Sequence, residues 1–499
     1  MKKSNFAGMK VLVMGLGLNG GGVEAARYLA ANGAEVTVTD LRDENVLEPS
    51  IKKLDAFPIR YVLGRHEMDD FRKADMVVKN PGARPDSPFL MAAGRIETDI
   101  SLFLAASPAR LLAVTGSKGK STASSALYHV LNEGRIANHM ERKAWLGGNI
   151  AISPLSFLEE VKEGDDVVLE LSSWQLGDLG RSGFSGADGS GAGSLEYGLL
   201  KPRAAVITDI LPDHLDWYGS MEAYVADKRI IYRNQDEVDA TIAGDDIWGR
   251  SFRSESRARP LVYSDKPPDH GIAGGWIPHP RGPGFARLWQ VPEEKSFFGR
   301  GEGSFNDPEA GCVVEIIPEL LLIPGFHQKR NLLAAALALL DLGLPPDFIR
   351  ESLGRFRGIE HRLEFFHESG GIRFYNDSAA TIPEAAAAAV EAFPNPPLLV
   401  CGGTDKGLDF TPLARAAAGA GKIFLLAGTG TEKLKSLLDG GGIKYRGPFD
   451  SLDDIINAVM EAALPGDNVV FSPGCTSFGM FLNEFDRGIK WKEGVRKHR

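Results

Sequence analysis

The sequence predicts an α/β protein of three consecutive domains: a Rossmann-like amino-terminal domain, a central domain with a phosphate-binding loop on a parallel sheet, and a second Rossmann-like domain at the carboxyl end. Three observations carry this. Short runs rich in Val, Ile and Leu alternate with helical stretches along most of the chain, the pattern of parallel strands joined by crossover helices. One run leads into "GLGLNGG" (15–21) and another into "VTGSKGKST" (114–122), two glycine loops of the kind that hold phosphates. A third set of strand-like runs, "PLLVCGG", "KIFLLAGTG" and "NVVFSPG", follows beyond residue 390.

The elements follow in order. "KVLVMGLG" reads as a strand, Val23 to Asn32 as a helix, and "AEVTVTD" and "ADMVVKNPG" as further strands. A fresh unit starts at "RLLAVTG" and continues through "DVVLELS" and "RAAVITDI". Two stretches break the rhythm. "GDLGRSGFSGADGSGAGSLEYG" (177–198) is a glycine- and serine-rich insertion, and residues from about 265 to 310 are rich in proline, glycine and charge, as in loops or short hairpins. "HQKRNLLAAALALLDLG" is a helix, and "LEFFHESGGIRFYND" opens the last domain near Gly358. The expected domains are 1–97, 98–358 and 359–499.

Bulk properties narrow the class. A chain of 499 residues exceeds one core, and 43% hydrophobic with 24% charged residues is ordinary for a soluble protein. Fifty-six basic against 66 acidic residues give a net charge of -10, which argues against a nucleic-acid partner and requires local cations for any acidic substrate. Cys312, Cys401 and Cys475 are far apart and in no metal-ligand spacing, so a reducing cytoplasm is expected. No apolar run reaches the ~18 residues of a membrane span. The opening "MKKSNFAGMK" leads into a strand rather than a cleavable apolar segment, so no membrane partner is expected.

Gly15, Gly17 and Gly20 have the spacing G-x-G-x-x-G between a strand and a helix, and Asp40 ends the next strand, where its carboxylate can accept from a ribose hydroxyl. Taken alone this fits an NAD-dependent dehydrogenase, another diphosphate ligand, or a structural turn. The second loop is short: only Ser117 and Lys118 separate Gly116 from Gly119, where the usual phosphate loop has four residues. Its amides can wrap a phosphate, Lys120 can neutralise the β- and γ-oxygens, and the Ser121 hydroxyl can meet magnesium.

This shortened loop, with Thr115 and Thr122 flanking it, resembles the ATP loop of the Mur ligases, which build the peptide stem of bacterial peptidoglycan. Further marks of that family follow in order: "GGNI" (147–150), "LELSSWQL" (169–176), "DILPDHLDWYG" (209–219), "YVADKRIIY" (224–232), "GFHQKRNLLAA" (325–335), "EHRLEFF" (360–366), "NDSAAT" (376–381), "GGTDKGLDF" (402–410) and "SPGCTSFGMF" (472–481). The resemblance covers nearly the whole chain apart from the two insertions. The first domain and the last three motifs are similar to those of the D-glutamate-adding members. The resemblance implies an ATP-dependent ligase that joins D-glutamate to UDP-N-acetylmuramoyl-L-alanine through an acyl phosphate and a tetrahedral intermediate, acting as a monomer. One loop then holds the UDP of the substrate and the other holds ATP.

By this resemblance the ATP site comprises Gly116, Ser117, Lys118, Gly119, Lys120, Ser121 and Thr122, with Asn331 at the adenine, Arg362 at the γ-phosphate and Asp377 at the ribose. Two magnesium ions are implied, held by Ser121 or Thr122, Glu170, His214 and a carbamylated Lys228 formed with CO2. Catalysis falls to Lys120, Glu170, His214 and Lys228. The UDP-substrate positions are Gly17, Leu18, Asn19, Asp40, Arg42, Gly82, Asn149, Ser172 and Gln175. The D-glutamate positions are Thr381, Lys406, Ser477, Phe478 and Phe485. Without the resemblance, Glu170 reads as a strand-end turn residue, His214 as a local hydrogen-bonding group and Lys228 as a surface lysine.

Two residues depart from the family pattern. Ala379 stands where a lysine often follows the serine of "NDS", and Lys118 stands where asparagine is frequent. The rival readings are a Mur-type ligase adding another amino acid, a dehydrogenase, and a non-catalytic module derived from a ligase. The dehydrogenase leaves Lys120, Glu170, His214, Lys228 and Lys406 without a shared role.

Overall fold

Five short apolar runs pair in parallel to make the first sheet, in the order Arg60–Leu63, Glu35–Asp40, Lys10–Met14, Met76–Lys79, Ile96–Glu97. The central strands are covered on both faces, as parallel strands require: Val11, Leu12, Val13, Val77 and Val78 are all buried. The chain leaves Lys10–Met14 toward one edge through the helix Gly21–Ala31 and returns on the other side at Met76–Lys79. The carboxyl ends of these two strands therefore flank a topological switch point, where open α/β sheets bind ligands. The computed structural model describes residues 6–18, 20–137, 142–181, 199–269, 272–288, 312–477 and 479–498.

The turn after Met14 depends on missing side chains. Gly15 has φ 90°, and a Cβ there would meet Asn80 Cβ at 2.8 Å. A Cβ on Gly22 would lie 2.3 Å from the Gly15 carbonyl oxygen, so the helix approaches the loop only because that position is bare. The fingerprint spacing picks out Gly20; the close helix–loop packing falls on Gly22.

The second sheet has nine strands, in the order Cys312–Ile317, Gly284–Leu288, Gly274–Trp276, Arg259–Ser264, Ala240–Gly244, Ala204–Ile207, Arg110–Thr115, Asp166–Glu170, Ala144–Gly148. Pairing is parallel from Ala144–Gly148 across to Gly274–Trp276 and antiparallel for the last two strands. The proline- and glycine-rich stretch expected to be loop or hairpin thus supplies Gly274–Trp276 and Gly284–Leu288; its residues 289–311 lie outside the described residues, as do 182–198 of the glycine-serine insertion. The chain leaves Arg110–Thr115 toward one edge and Asp166–Glu170 toward the other, which makes a second switch point. The expected long helix is Phe326–Asp341.

The third sheet runs Glu364–Ser369, Ile372–Asn376, Asn468–Phe471, Leu398–Cys401, Lys422–Leu426, Arg446–Phe449. It is parallel except for the first pair, a hairpin turned at Gly370 and Gly371 with φ 58° and 77°. Alternate residues face opposite cores, Leu399 and Cys401 one way, Leu398 and Val400 the other.

The chain divides into two compact units. Met1–His279, Pro283–Ile317 and Arg330–Ser352 carry the first two sheets; Pro280–Gly282, Pro318–Lys329 and Leu353–Arg499 carry the third. The first two sequence-defined domains thus share one core, which runs from Val11 and Leu29 through Phe103 and Leu155 to Val167 and Phe252. At the expected boundary, Glu97 is buried and accepts from Ser101 Oγ at 2.7 Å. The following helix, Asp99–Ala106, is capped by Thr98 and Ser101 and reaches the second sheet's side through Asp99, which accepts from Ser153 Oγ at 2.8 Å. A buried ion pair, Lys79–Asp178, adds a second link.

Gly22→Ala is expected to lower stability by about 2 kcal/mol by overpacking the helix–loop contact, read as earlier thermal unfolding. Gly21→Ala, whose Cβ meets nothing nearer than Asp99 Oδ2 at 3.5 Å, is the matched control and is expected to cost less. Equal melting curves for the two variants would remove the packing argument.

Candidate active site

A crevice of about 330 Å3 opens at the first switch point. It is lined by Gly15, Gly21 and Gly22 of the glycine loop, by Lys79, Asn80 and Gly82 of the facing strand end, and by Asn149, Ser172, Trp174 and Gln175 from the second sheet. Four of the residues expected at a UDP substrate, Gly82, Asn149, Ser172 and Gln175, are therefore together. Gly17, Leu18, Asp40 and Arg42 are not among its lining residues, and Asn19 lies outside the described residues. The Asp40 carboxylate is engaged elsewhere. Its two oxygens accept from the amides of Gly17 at 3.1 Å and Arg42 at 3.0 Å, fixing the loop. Ser172 and Gln175 form a reciprocal cap on the helix Ser173–Arg181, each side chain accepting from the other's amide at 3.0–3.2 Å.

At the second switch point the phosphate loop joins Arg110–Thr115 to the helix Lys120–Ala137. The loop is tightly enclosed. A Cβ on Gly116 would fall 1.9 Å from Thr208 Oγ1, and one on Gly119 would fall 2.2 Å from Asn331 Oδ1. Thr208 Oγ1 donates to the Lys118 carbonyl at 2.6 Å. The Ser117 hydroxyl is buried, meeting Tyr224 OH at 2.9 Å and the Leu211 carbonyl at 2.8 Å and accepting from the Leu211 amide at 2.9 Å, so it shapes the loop rather than facing a ligand. Lys118 is exposed, 4.0 Å from Asp213. Asn331, expected at an adenine, sits buried against Gly119. Thr208 and Tyr224 are functional supports that motif reading missed, because only the fold brings them to the loop.

Two amines meet above this loop. Lys120 Nζ donates to the carbonyls of Gly116 at 3.0 Å and Ser117 at 3.1 Å, while Lys228 Nζ donates to the Gly116 carbonyl at 2.9 Å and lies 4.6 Å from the Tyr224 ring centre. Lys228 is buried, contrary to the surface-lysine reading. Burial, followed by repulsion from Lys120, pulls its amine down to about 7 despite Asp213 and Asp227 nearby.

Glu170 ends the strand beside the loop and is buried. Its Oε1 accepts from Asn149 Nδ2 at 3.0 Å and its Oε2 from Ser124 Oγ at 3.3 Å. Asn149 belongs to the crevice wall and Ser124 to the phosphate-loop helix, so one carboxylate joins that wall to that helix. Ser121 is half-buried and Thr122 buried in the first turn of the same helix. His214 is held in a left-handed conformation, φ 53°, with its ring 4.8 Å from Trp174, whose ring lies in turn 4.9 Å from Trp217, tilted by 36°. Among the described residues no three His, Cys, Asp or Glu side chains converge to hold a metal by themselves. A single carboxylate with a hydroxyl suits magnesium, which keeps waters and shares phosphate oxygens.

The second unit has its own crevice, about 240 Å3, lined by Gly402, Gly403, Thr404, Gly428, Asp450, Ser477, Met480 and Arg487. Of the expected D-glutamate positions only Ser477 lines it. Lys406 is exposed, Thr381 is half-buried, Phe485 is exposed with its ring 5.3 Å from His361, and Phe478 lies outside the described residues. Arg362 is exposed. Asp377 is buried and accepts from Ser472 Oγ at 2.6 Å and from the Leu363 amide at 3.1 Å; burial pushes its carboxyl up to about 7. Arg487 is the residue missed here. Its buried guanidinium donates to the carbonyls of Cys475 at 3.0 Å and Ser378 at 2.8 Å, clamping the loops that carry Ser477 and Thr381.

Three family models match the chain: the Mur ligase MurD-like N-terminal domain at residues 9–101, the Mur ligase middle domain at 114–269 and the Mur ligase glutamate ligase domain at 361–475. The UDP-N-acetylmuramoylalanine--D-glutamate ligase of Treponema pallidum (strain Nichols) is 39% identical and covers 98% of this chain and 98% of its own length. Its counterpart from Roseiflexus sp. (strain RS-1) is also 39% identical, again over 98% of both. Among solved structures, the UDP-N-acetylmuramate-alanine ligase MurC of Thermotoga maritima shares the fold, with a TM-score of 0.53 at 19% identity over 98% of this chain and 100% of that one.

Arg487→Met is expected to destabilise the second unit by about 3 kcal/mol, because two buried carbonyls lose a charged donor. Differential scanning calorimetry reads this directly. An unchanged transition would mean that the loops hold without the clamp.

Proposed function

This chain belongs to the Mur ligase family, and from that premise we propose that it joins D-glutamate to the alanyl carboxylate of UDP-N-acetylmuramoyl-L-alanine with hydrolysis of ATP. The observation that carries this reading is the bridge from Asn149 through Glu170 to Ser124, which ties the nucleotide-sugar crevice to the phosphate loop in one unit. A carboxylate held at the crevice end then meets a phosphate held at the loop. Two anions must approach for an acyl phosphate to form, so concentrated positive charge is the first requirement.

Lys120 supplies that charge beside the loop amides at the amino end of an 18-residue helix. Glu170, with Ser121 or Thr122, would hold magnesium, which neutralises the transferring phosphoryl oxygens when bound. Thr208 and Asn331 hold the loop to the shape that aims its amides. His214, fixed against Trp174, is the proposed holder of a second ion. Asn331, Arg362 and Asp377 are proposed for the nucleotide, and Thr381, Lys406, Ser477 and Phe485 for D-glutamate, whose carboxylates need the cation and hydroxyls of that set. The free thiols of Cys401 and Cys475 fit a reducing cytoplasm.

Lys228 is proposed to be carbamylated. The ammonium first gives up one proton; the neutral amine then attacks CO2, an N–C bond forms and a second proton leaves, so the side chain changes from cation to anion. An amine pulled down to about 7 has a substantial neutral fraction at neutral pH, as that attack requires. The product also exchanges repulsion from Lys120 for attraction.

With ATP, magnesium and UDP-N-acetylmuramoyl-L-alanine, phosphate release is expected with D-glutamate and not with L-glutamate, D-aspartate, L-lysine or L-alanine, the product being weighed by mass spectrometry. Turnover with a different amino acid keeps the ligase and discards the assigned pocket; silence across the panel sinks the reading. Lys228→Ala is expected to lose activity by about a hundredfold or more, as removal of a charge-stabilising group does, and to regain part of it in formate or acetate. Labelled CO2 should give a carbamate carbon signal in the wild type that is missing from the variant. A fully active Lys228→Ala protein would dismiss the carbamate.

A further inference from the structure

The crevice that takes the UDP substrate is poor in cations. Among the described residues lining it, Lys79 is the single basic side chain and Asp99 the single carboxylate. Asp99 is committed, accepting from Ser153 Oγ at 2.8 Å and from the Ile100 amide at 3.0 Å. The amino end of the helix Gly21–Ala31 offers about half a positive charge, too little for a diphosphate that carries about two negative charges. Asn80 Oδ1 already takes the Gly82 amide at 3.0 Å. Something else must balance the ligand.

Lys79 is 4% exposed and pairs with Asp178 on the helix Ser173–Arg181, the helix that also supplies Gln175 to the crevice. Burial pulls the Lys79 amine below its ordinary range and pushes the Asp178 carboxyl above its own, so desolvation outweighs mutual attraction in both partners. Such a pair is a poor source of stability. Asp178 also has a second cation, with Arg181 Nη2 3.7 Å from its other oxygen. Lys79 can therefore turn away without stranding the carboxylate.

Resting on the nucleotide-sugar substrate argued above, we propose that Lys79 is the cation that receives the substrate's diphosphate, and that Asp178 holds it in position until the ligand enters. Lys79 is a binding residue in this role and Asp178 a positioning residue. The lysine sits directly before Asn80 and Gly82, at the end of the strand that forms one wall of the switch point. Arrival of the diphosphate replaces one carboxylate partner by two phosphates, so the amine's desolvation is offset only when the ligand is bound.

The test compares two variants that both lack the ion pair. Asp178→Asn keeps the cation; Lys79→Met/Asp178→Asn removes it and leaves no unpaired carboxylate. UDP-N-acetylmuramoyl-L-alanine and UDP are titrated by calorimetry into each folded protein without ATP, at two salt concentrations. Asp178→Asn, which loses only the positioning partner, is expected to bind less tightly than the wild type but more tightly than the double variant, with the wild-type salt dependence. The double variant is expected to bind both ligands about tenfold or more weakly, as loss of a charge-assisted phosphate contact does, and with a shallower salt dependence. Equal weakening in both variants makes Lys79 a structural residue and overturns the proposal, as does unchanged binding in the double variant. If the wild type binds neither UDP ligand, the UDP-substrate reading falls and this proposal falls with it; wild-type binding with the wrong variant order removes this proposal alone. Should the double variant not fold, Lys79→Gln/Asp178→Asn, which keeps a polar contact across the pair, carries the same comparison.

Discussion

Two lysine amines share one carbonyl oxygen, that of Gly116, and burial together with the conflict between them sets the state of Lys228. A chain with a net charge of -10 must bring a carboxylate, a nucleotide diphosphate and a triphosphate together. Solvated surface lysines do this badly, because water and salt screen them. Burying Lys228 beside Lys120 weakens the proton's hold on Lys228 itself.

That charge is useful only if the loop beneath it is rigid. The loop is short by two residues against the usual phosphate loop, and the structure compensates by enclosing it. Thr208 takes up the space on one side and Asn331 on the other, leaving room for no side chain at Gly116 or Gly119. Ser117 is tied to Leu211 and Tyr224 from below. The first sheet is fixed to this framework through a common core and through Asp99–Ser153. The crevice and the phosphate loop therefore belong to one body, with Glu170 bonded to both.

Much of this was legible in the sequence, for a physical reason. A glycine loop between an apolar strand and a helix has one workable backbone course, so "GLGLNGG" and "VTGSKGKST" announce their geometry locally. Glu170 and Lys120 sit at strand and helix ends for the same reason. What stayed hidden was set by contacts between residues far apart in the chain. Gly22 is essential only because the helix falls onto Gly15, and Thr208 only because its strand lies beside Arg110–Thr115. Lys228 reads as a surface lysine because periodicity cannot reveal that its helix end packs against the loop. Asp40 has a task the fingerprint does not show: its two oxygens accept from the amides of Gly17 and Arg42.

Ala379 is the clearest test of how charge and shape divide between residues. A lysine at that position adds a cation to the loop 376–381, and its absence here leaves two separate questions, whether the loop keeps its course and whether the site keeps its charge. The course is secured from behind. Arg487 holds the Ser378 carbonyl, the Ala379 amide donates to the His361 carbonyl, and the Ser378 hydroxyl contacts His361 Nδ1 at 2.9 Å. None of these contacts involves a side chain at 379. The loop is therefore built to stand without a cation there, and Ala379 subtracts charge alone. Lys406, the cation proposed for D-glutamate, is an exposed lysine on the loop after Leu398–Cys401.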